Sequence, residues 1–292
     1  MRGRAAMLAG ILIAPVTHAA PPPGPCARYA ATAREVGRVP PGLPELSGLA
    51  ASRVHPGVYW AHNDSGNPLA LIAIHTDGAI VARLAIVGVG SIDPEDIAVG
   101  PCAAGATRSC IYLADTGDNL RQRKRLDVLR VPEPERLADS SVSATVIPVT
   151  LPDGPRDIEA LAIDPHSARL YLVSKVFGSL GEVYRVDPDG GNARRIATVA
   201  GPSGFDVLTT GMDAHPSGER VLLRTYDAVW ELRAPGATSL DAVFAATPVA
   251  VTTAVEPQGE AVAYTADGRG YLLAGEGVGS PIHAVDCVAA AP

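Results

Sequence analysis

One short strand-opening motif returns about every fifty residues along the chain, the kind of period that marks a ring or stack of repeated units. A polar residue is followed by a small or acidic one, then by an aliphatic, often with Ala next. It appears as Ser47-Gly48-Leu49-Ala50, as Glu95-Asp96-Ile97-Ala98 and as Glu159-Ala160-Leu161-Ala162. A weaker copy is Thr210-Gly211-Met212-Asp213, and the last is Glu260-Ala261-Val262-Ala263. After each copy comes a β-rich run: Val58-Tyr59-Trp60, Ile111-Tyr112-Leu113, Leu170-Tyr171-Leu172, Val221-Leu222-Leu223 and Tyr271-Leu272-Leu273. Turn residues such as His55-Pro56-Gly57, Asp164-Pro165 and Asp267-Gly268 separate motif from run.

Third strands follow at 182–186 and 228–232, and fourth strands are expected at 196–199 and 243–246. Four short strands per unit describe a propeller blade. Outside the first twenty residues no long segment carries helical periodicity, although Pro134 to Ser143 has room for one helical turn. The fifth unit supplies only three strands, so its outer strand is expected from the N-terminal segment, Arg28 to Val39. Four cysteines suggest two disulfides in one of three pairings. Cys102 and Cys110 bracket a small polar loop between strand-like runs, which leaves Cys26 and Cys287 to join the ends. Metal binding is the other use of four cysteines, but no CxxC spacing supports it. The expected fold is all-β: a β-propeller of five blades of four antiparallel strands, with the ring closed by the N-terminal strand joining the last blade. The domain would run over 21–292. Six blades is the alternative, because the unit at 91–153 is long enough to hide a degenerate one.

Residues 1–20 read as a secretory leader. Arg2 and Arg4 precede an apolar run, Ala5 to Val16, that is too short to span a bilayer, and small residues follow near Ala19. A secreted or periplasmic protein with no membrane span after leader removal is expected. Losing Arg2 and Arg4 and no acid moves the formal charge from −7 to −9. That excess of negative charge argues against nucleic acid as a partner. Aromatics at 4% are also too sparse for a base-stacking platform.

The first two strands of a blade run antiparallel, so the start of the first and the end of the second share one rim. The motif-opening residues Ser47, Glu95, Glu159, Thr210 and Glu260 should therefore ring one channel mouth. His62-Asn63-Asp64, Asp115-Thr116, Ser174-Lys175, Arg224-Thr225-Tyr226 and Glu276 should stand behind them, with Gly117-Asp118-Asn119 extending the second unit. Glu95, Glu159 and Glu260 at one narrow mouth repel each other unless a cation neutralises them or some take up protons. Calcium suits such an oxygen-only ligand set. The structural alternative is that these carboxylates cap turns. Lys175, Arg224 and Tyr226 could together hold a phosphate, sulfate or carboxylate, or they could pair with the glutamates. His62, Asn63, Asp64, Asp115, Asn119 and Glu276 complete the candidate ligand-binding set, although Asn67 and Asn119 also suit Asx-type turns. The basic run Arg121-Gln122-Arg123-Lys124-Arg125 is either a solvated excursion or a lid over the mouth.

No GxSxG, Walker, dinucleotide or HExxH motif occurs. The succession HNDSGNP, DPEDIA, YLADTGDN, DIEALAID, LYLVSK, RTY and QGEAVAYTADG resembles a group of exported bacterial β-propeller proteins of uncertain activity. It is similar, more distantly, to calcium-dependent phytase-like and esterase-like propellers, and to lactonase-type propellers that bind a metal in the channel through Glu, Asn and Asp. The resemblance implies a polar, calcium-binding channel mouth. The chain is short for the six blades of those enzymes, and the phytase signature is not evident. The expected function is binding of a small anionic or metal-linked ligand at the mouth. Its enzymatic form is a calcium-assisted hydrolase of a phosphoester or lactone, in which Lys175, Arg224 and Tyr226 stabilise negative charge. Its non-catalytic form is an interaction propeller that binds a protein or a glycan.

Overall fold

In runs such as Leu170-Tyr171-Leu172-Val173 every residue is apolar, so a strand made from them must be covered on both faces. The computed structural model describes residues 26–202 and 207–288, and it shows what covers them. The leader expected at 1–20 lies outside the described residues. Five sheets form five blades. Blade one comprises Leu46–Ala51, Val58–Asn63, Ala70–His75 and Ile80–Val87. Blade two comprises Pro94–Pro101, Ser109–Asp115, Leu126–Pro132 and Thr145–Thr150. Blade three comprises Ile158–Ile163, Leu170–Ser174, Gly181–Val186 and Arg194–Val199. Blade four comprises Thr209–Ala214, Arg220–Thr225, Val229–Arg233 and Val249–Val251. Blade five comprises Gly259–Tyr264, Gly270–Gly275 and Pro281–Val288.

Each inner strand touches the next, and the fifth touches the first, so the ring closes. One apolar cluster fills each gap between neighbouring blades. Alternation divides each strand between two clusters. In blade three, Leu161, Leu170 and Leu172 face blade two, while Ala162, Tyr171 and Val173 face blade four. The second strand of each blade is thereby buried along nearly its whole length, which is why these segments read as apolar runs.

The N-terminal segment completes blade five as expected, but in two pieces. Arg28–Tyr29 and Arg34–Arg38 both pair antiparallel with Pro281–Val288. Cys26 and Cys287 are bridged, with their Cα atoms 5.6 Å apart, and Cys102 and Cys110 form the second disulfide. The segment is also tied to blade four. Tyr29 Oη donates to the buried Glu231 carboxylate at 2.7 Å, and Arg220 Nη1 donates to the Cys26 carbonyl at 2.7 Å.

Two local expectations are corrected. Residues 243–246 are not the outer strand of blade four. Leu240–Phe244 is a short helix capped by Ser239, and its buried Leu240, Val243 and Phe244 share one face at helical spacing. The outer strand is Val249–Val251. Nor is Pro134 to Ser143 a helical turn. Ser140–Ser143 pairs parallel with the outer strand of blade one, Ser140 opposite Leu84. The extra length of the second unit covers a neighbour's exposed edge and does not build a sixth blade.

At the axis one side chain binds three blades together. Asp96 is buried, and its Oδ1 accepts from the N–H of Ile97 at 2.8 Å. Its Oδ2 accepts from Leu161 N–H of blade three at 2.7 Å and Met212 N–H of blade four at 3.1 Å. The equivalent positions in the other blades are Gly48, Ala160, Gly211 and Ala261, which leave room for it.

Replacing Asp96 with Ala should strand these buried N–H groups and lower the unfolding free energy by roughly 3–5 kcal/mol. Denaturant unfolding measures this, and a loss under about 1 kcal/mol would show the carboxylate is dispensable. Removing the Cys26–Cys287 bridge by a double Ser substitution should cost about 5 kcal/mol by loop entropy, against about 2–3 for Cys102–Cys110. Equal losses from the two double variants would mean that the terminal bridge does not govern closure.

Candidate functional site

The register of every inner strand slips by one residue at the same point. The residues left over are Ser47, Glu95, Glu159, Thr210 and Glu260. A bulge of this kind re-aims a side chain out of the ladder. Ser47, Glu95, Glu159 and Glu260 line one cavity of about 90 Å³ at the channel mouth. That volume admits about three waters, or an ion with part of its shell. The hydroxyls among the five lace blades together instead: Ser47 Oγ donates to the Glu95 carbonyl at 2.6 Å, and Thr210 Oγ1 to the Gly259 carbonyl at 2.9 Å.

A second ring comes from the residue just past each second strand. These residues are Asp64, Thr116, Lys175, Tyr226 and Glu276. All but Thr116 line the cavity, with Asn119 and Gln258. Thr116 donates to the Ile158 carbonyl of blade three.

The cavity lining carries five carboxylates and one cation, Lys175. Lys175 Nζ lies 3.0 Å from Glu159 Oε2 and 5.2 Å from the centroid of the Tyr226 ring. Two further carboxylates stand against the lining ones. Oxygens of Glu95, Asp157 and Glu159 lie within 4.8 Å of one another, and so do those of Asp64, Asp93 and Glu95. Glu95 belongs to both groups. Gly117 lets the backbone pass close beside them, for a Cβ there would fall 1.9 Å from Glu95 Oε1 and displace that carboxylate.

Burial dominates the electrostatics. It raises Glu95 far above the ordinary carboxylate range, and Glu159, Asp64, Asp93 and Asp157 push it further. Burial also raises Glu159, against the pull of Lys175. Glu260 is pushed up to about 7, again by burial first, with Gln258 bonding opposing the shift. Burial alone would lower the Lys175 ammonium, but Glu159 and Tyr226 outweigh it and raise it. Like charges with too few partners in a half-closed cavity favour protonation or a bound cation.

The other sequence candidates fall outside this cavity. Arg224 is fully buried, bonded to Glu256 at 2.7 Å and Thr253 at 2.8 Å, and it lies against the Gly259 backbone. It therefore does not join Lys175 and Tyr226 at the mouth. His62 is 1% exposed and lines a separate small pocket with Asn63, Asp64 and Ser91. Its Nδ1 lies 3.0 Å from the Asn63 carbonyl, and burial lowers its pKa to about 4, so the ring is neutral. Asn63 braces a loop through Glu45 N–H and the Gly42 carbonyl. Asp115 pairs with Arg123 and accepts from Ile92 and Asp93 N–H groups, so it holds the segment that carries Asp93. Asn67 Nδ2 donates to the Glu45 carboxylate and back to the Asp64 carbonyl at 3.2 Å, which braces the loop. The basic run is pinned rather than free to close: Asp118 accepts from Gln122 and Arg123 N–H groups.

Asp93, Asp157 and Gln258 were not singled out from the sequence. Each stands two residues before a bulge residue, in Asp93-Pro94-Glu95, Asp157-Ile158-Glu159 and Gln258-Gly259-Glu260. A polar residue recurring two positions before each motif glutamate was therefore a usable signal.

No protein-family model matches the chain, and no curated protein matches it. Among solved structures, one similar chain is a gluconolactonase from Xanthomonas campestris, described as important in glucose secondary metabolic pathways. It is 12% identical, with a TM-score of 0.49, over 92% of this chain and 99% of that one. A likeness at that level carries nothing about reaction chemistry.

The raised carboxylates set the sign of the pH dependence. Glu260 ionises near 4.5 when unfolded and near 7 when folded. Between these values the unfolded chain has lost a proton that the folded chain keeps, so stability falls as pH rises. Glu95 and Glu159 act in the same direction. Free of divalent cations, the protein should melt at progressively lower temperature from about pH 5 to about pH 8, with Glu260 alone contributing up to roughly 3 kcal/mol. Thermal scans in chelator test this, and a flat or rising profile would show that the mouth does not hold its protons.

Proposed function

We propose that the acidic mouth binds a divalent cation, with calcium the ion its donors suit, and that this cation presents a small anionic ligand in an exported protein. The observation that carries the reading is the pair of carboxylate groups sharing Glu95, beside a single ammonium that already serves Glu159. The donor set is oxygen only, as calcium requires, and its mutual repulsion in a buried setting is what a cation would relieve. Glu95, Glu159 and Asp157 would hold the ion, with Asp64 and Asp93 on the other side of Glu95. A bound calcium would supply positive charge to polarise an oxygen of the ligand. Tyr226 and Lys175 stand beside that position and would meet the ligand's negative charge. The enzymatic form of this reading is hydrolysis of a phosphoester or lactone.

One observation favours the non-catalytic form. Of the three residues that would stabilise developing charge, Arg224 is withdrawn into the blade interior and Lys175 is ion-paired. A site for holding a ligand needs less charge stabilisation than one for turning it over.

Calcium at about 100 times its Kd should stabilise the protein by about 2.7 kcal/mol, and chelator should reverse the rise in Tm. Glu159→Gln should remove most of that response. Superimposable melting curves with calcium and with chelator would reject the cation site. Generic phosphoesters and lactones, assayed with and without calcium, then separate the two forms. Calcium-dependent turnover that disappears in Glu159→Gln marks an enzyme, whereas calcium binding without turnover marks a binding propeller.

A further inference from the structure

The far end of the channel is built with the opposite chemistry. Beyond the other ends of the inner strands, all five blades line one cavity of about 300 Å³. Its walls are Val99, Pro101, Ile163, Pro165, Ala214 and Pro216, with Ala266 contributed by blade five. No carboxylate lines it among the described residues. Two arginines do: Arg53 from blade one and Arg108 from blade two, both exposed. Neither guanidinium makes an ion pair among the described residues, and Arg53 has one long bond, 3.4 Å to the Ala266 carbonyl. Arg53 pulls against the burial that raises Asp213, but the two make no ion pair: Asp213 accepts from Tyr264 N–H at 2.8 Å, and Asp267 accepts from Thr265 and Arg269.

An apolar concave wall with a few convergent polar groups is what small-molecule sites are made of, and this volume is at the lower end of their usual range. Apolar walls favour an apolar body by removing it from water. Two guanidiniums in no ion pair among the described residues favour a planar anionic head, which an arginine can bind through two parallel N–H groups. We propose that this second mouth binds a small amphipathic carboxylate, its aliphatic or aromatic body against the proline- and aliphatic-lined wall and its head on Arg53 and Arg108. The volume suits roughly ten heavy atoms, taking a water's share of about 30 Å³ for each. The site is separate from the acidic mouth, and the proposal stands whether or not that mouth binds calcium.

Octanoate is a probe of this size and chemistry, and octanamide is its uncharged counterpart. Equilibrium dialysis of labelled octanoate against the full chain, in chelator, should show saturable binding at one site. Octanamide should bind at least tenfold more weakly. The double variant Arg53→Gln/Arg108→Gln should weaken octanoate at least tenfold with an unchanged Tm, because both side chains are exposed. Ala106→Glu, which puts a negative charge into the same lining, should do likewise without touching either arginine. Glu159→Gln at the opposite mouth should leave octanoate affinity unaltered. Absence of saturable binding, equal affinity for the amide, or undiminished affinity in the double variant with retained fold would each overturn the proposal. So would loss of octanoate binding in Glu159→Gln.

Discussion

Five inner strands meeting around one axis leave almost no room for side chains, and this crowding shapes both the core of the ring and its mouth. At the level just inside the mouth the five equivalent residues are Gly48, Asp96, Ala160, Gly211 and Ala261. Four are small, so the fifth can place its carboxylate where N–H groups of three strands converge. Channel-facing N–H groups must find an acceptor when water is excluded. A single aspartate supplies it, and in doing so fixes blades two, three and four at one level. A larger residue at Gly48 would meet both that carboxylate and His62 Nε2.

The same crowding creates the mouth. One residue earlier, each strand bulges, and the extra side chain leaves the ladder towards the open end. Fivefold repetition of the backbone therefore supplies five equivalent positions, which the sequence fills unequally. Ser and Thr at two of them hook onto a neighbouring blade. Glutamates at the other three face a cavity too small to solvate them fully. The fold has no need of charge there, since hydroxyl groups do the structural work at equivalent points. Three glutamates in a position that does not require charge, served by one ammonium on Glu159, are the observation on which the proposed cation site rests.

Blade number, ring closure and both cysteine pairings were legible in the sequence because each follows from a repeat or a count. The mouth glutamates were legible because the bulge falls on the motif itself. Arg224 shows where that reasoning stops. It sits two residues before Tyr226, on the strand proper, opposite Gly211. Its equivalents are Val173 and Ala274, both wholly buried. Rim position depends on strand register to within a residue, and turn chemistry leaves that register open by about two. The helix at Leu240–Phe244 was missed for a related reason. Five residues of apolar spacing fit a strand or a helical turn equally well, and the Ser239 cap decides between them.

The symmetry of the frame and the asymmetry of its charges together bear on where the proposed ligand would lie. Asp64, Asp93, Glu95, Asp157 and Glu159 all come from blades one to three, and Lys175 and Tyr226 come from the ends of blades three and four. A cation drawn to the carboxylates would sit off the axis, towards blades two and three. The ammonium and the phenol ring would then flank it on the side of blade four, where Thr210 is turned into the backbone and contributes no charge. An anion held by that cation has only this side on which to find a second positive charge. A ligand bound as proposed would therefore lie across the mouth from blade two to blade four. Its orientation would be set by which blades carry acids rather than by the channel, whose backbone is nearly the same in every direction.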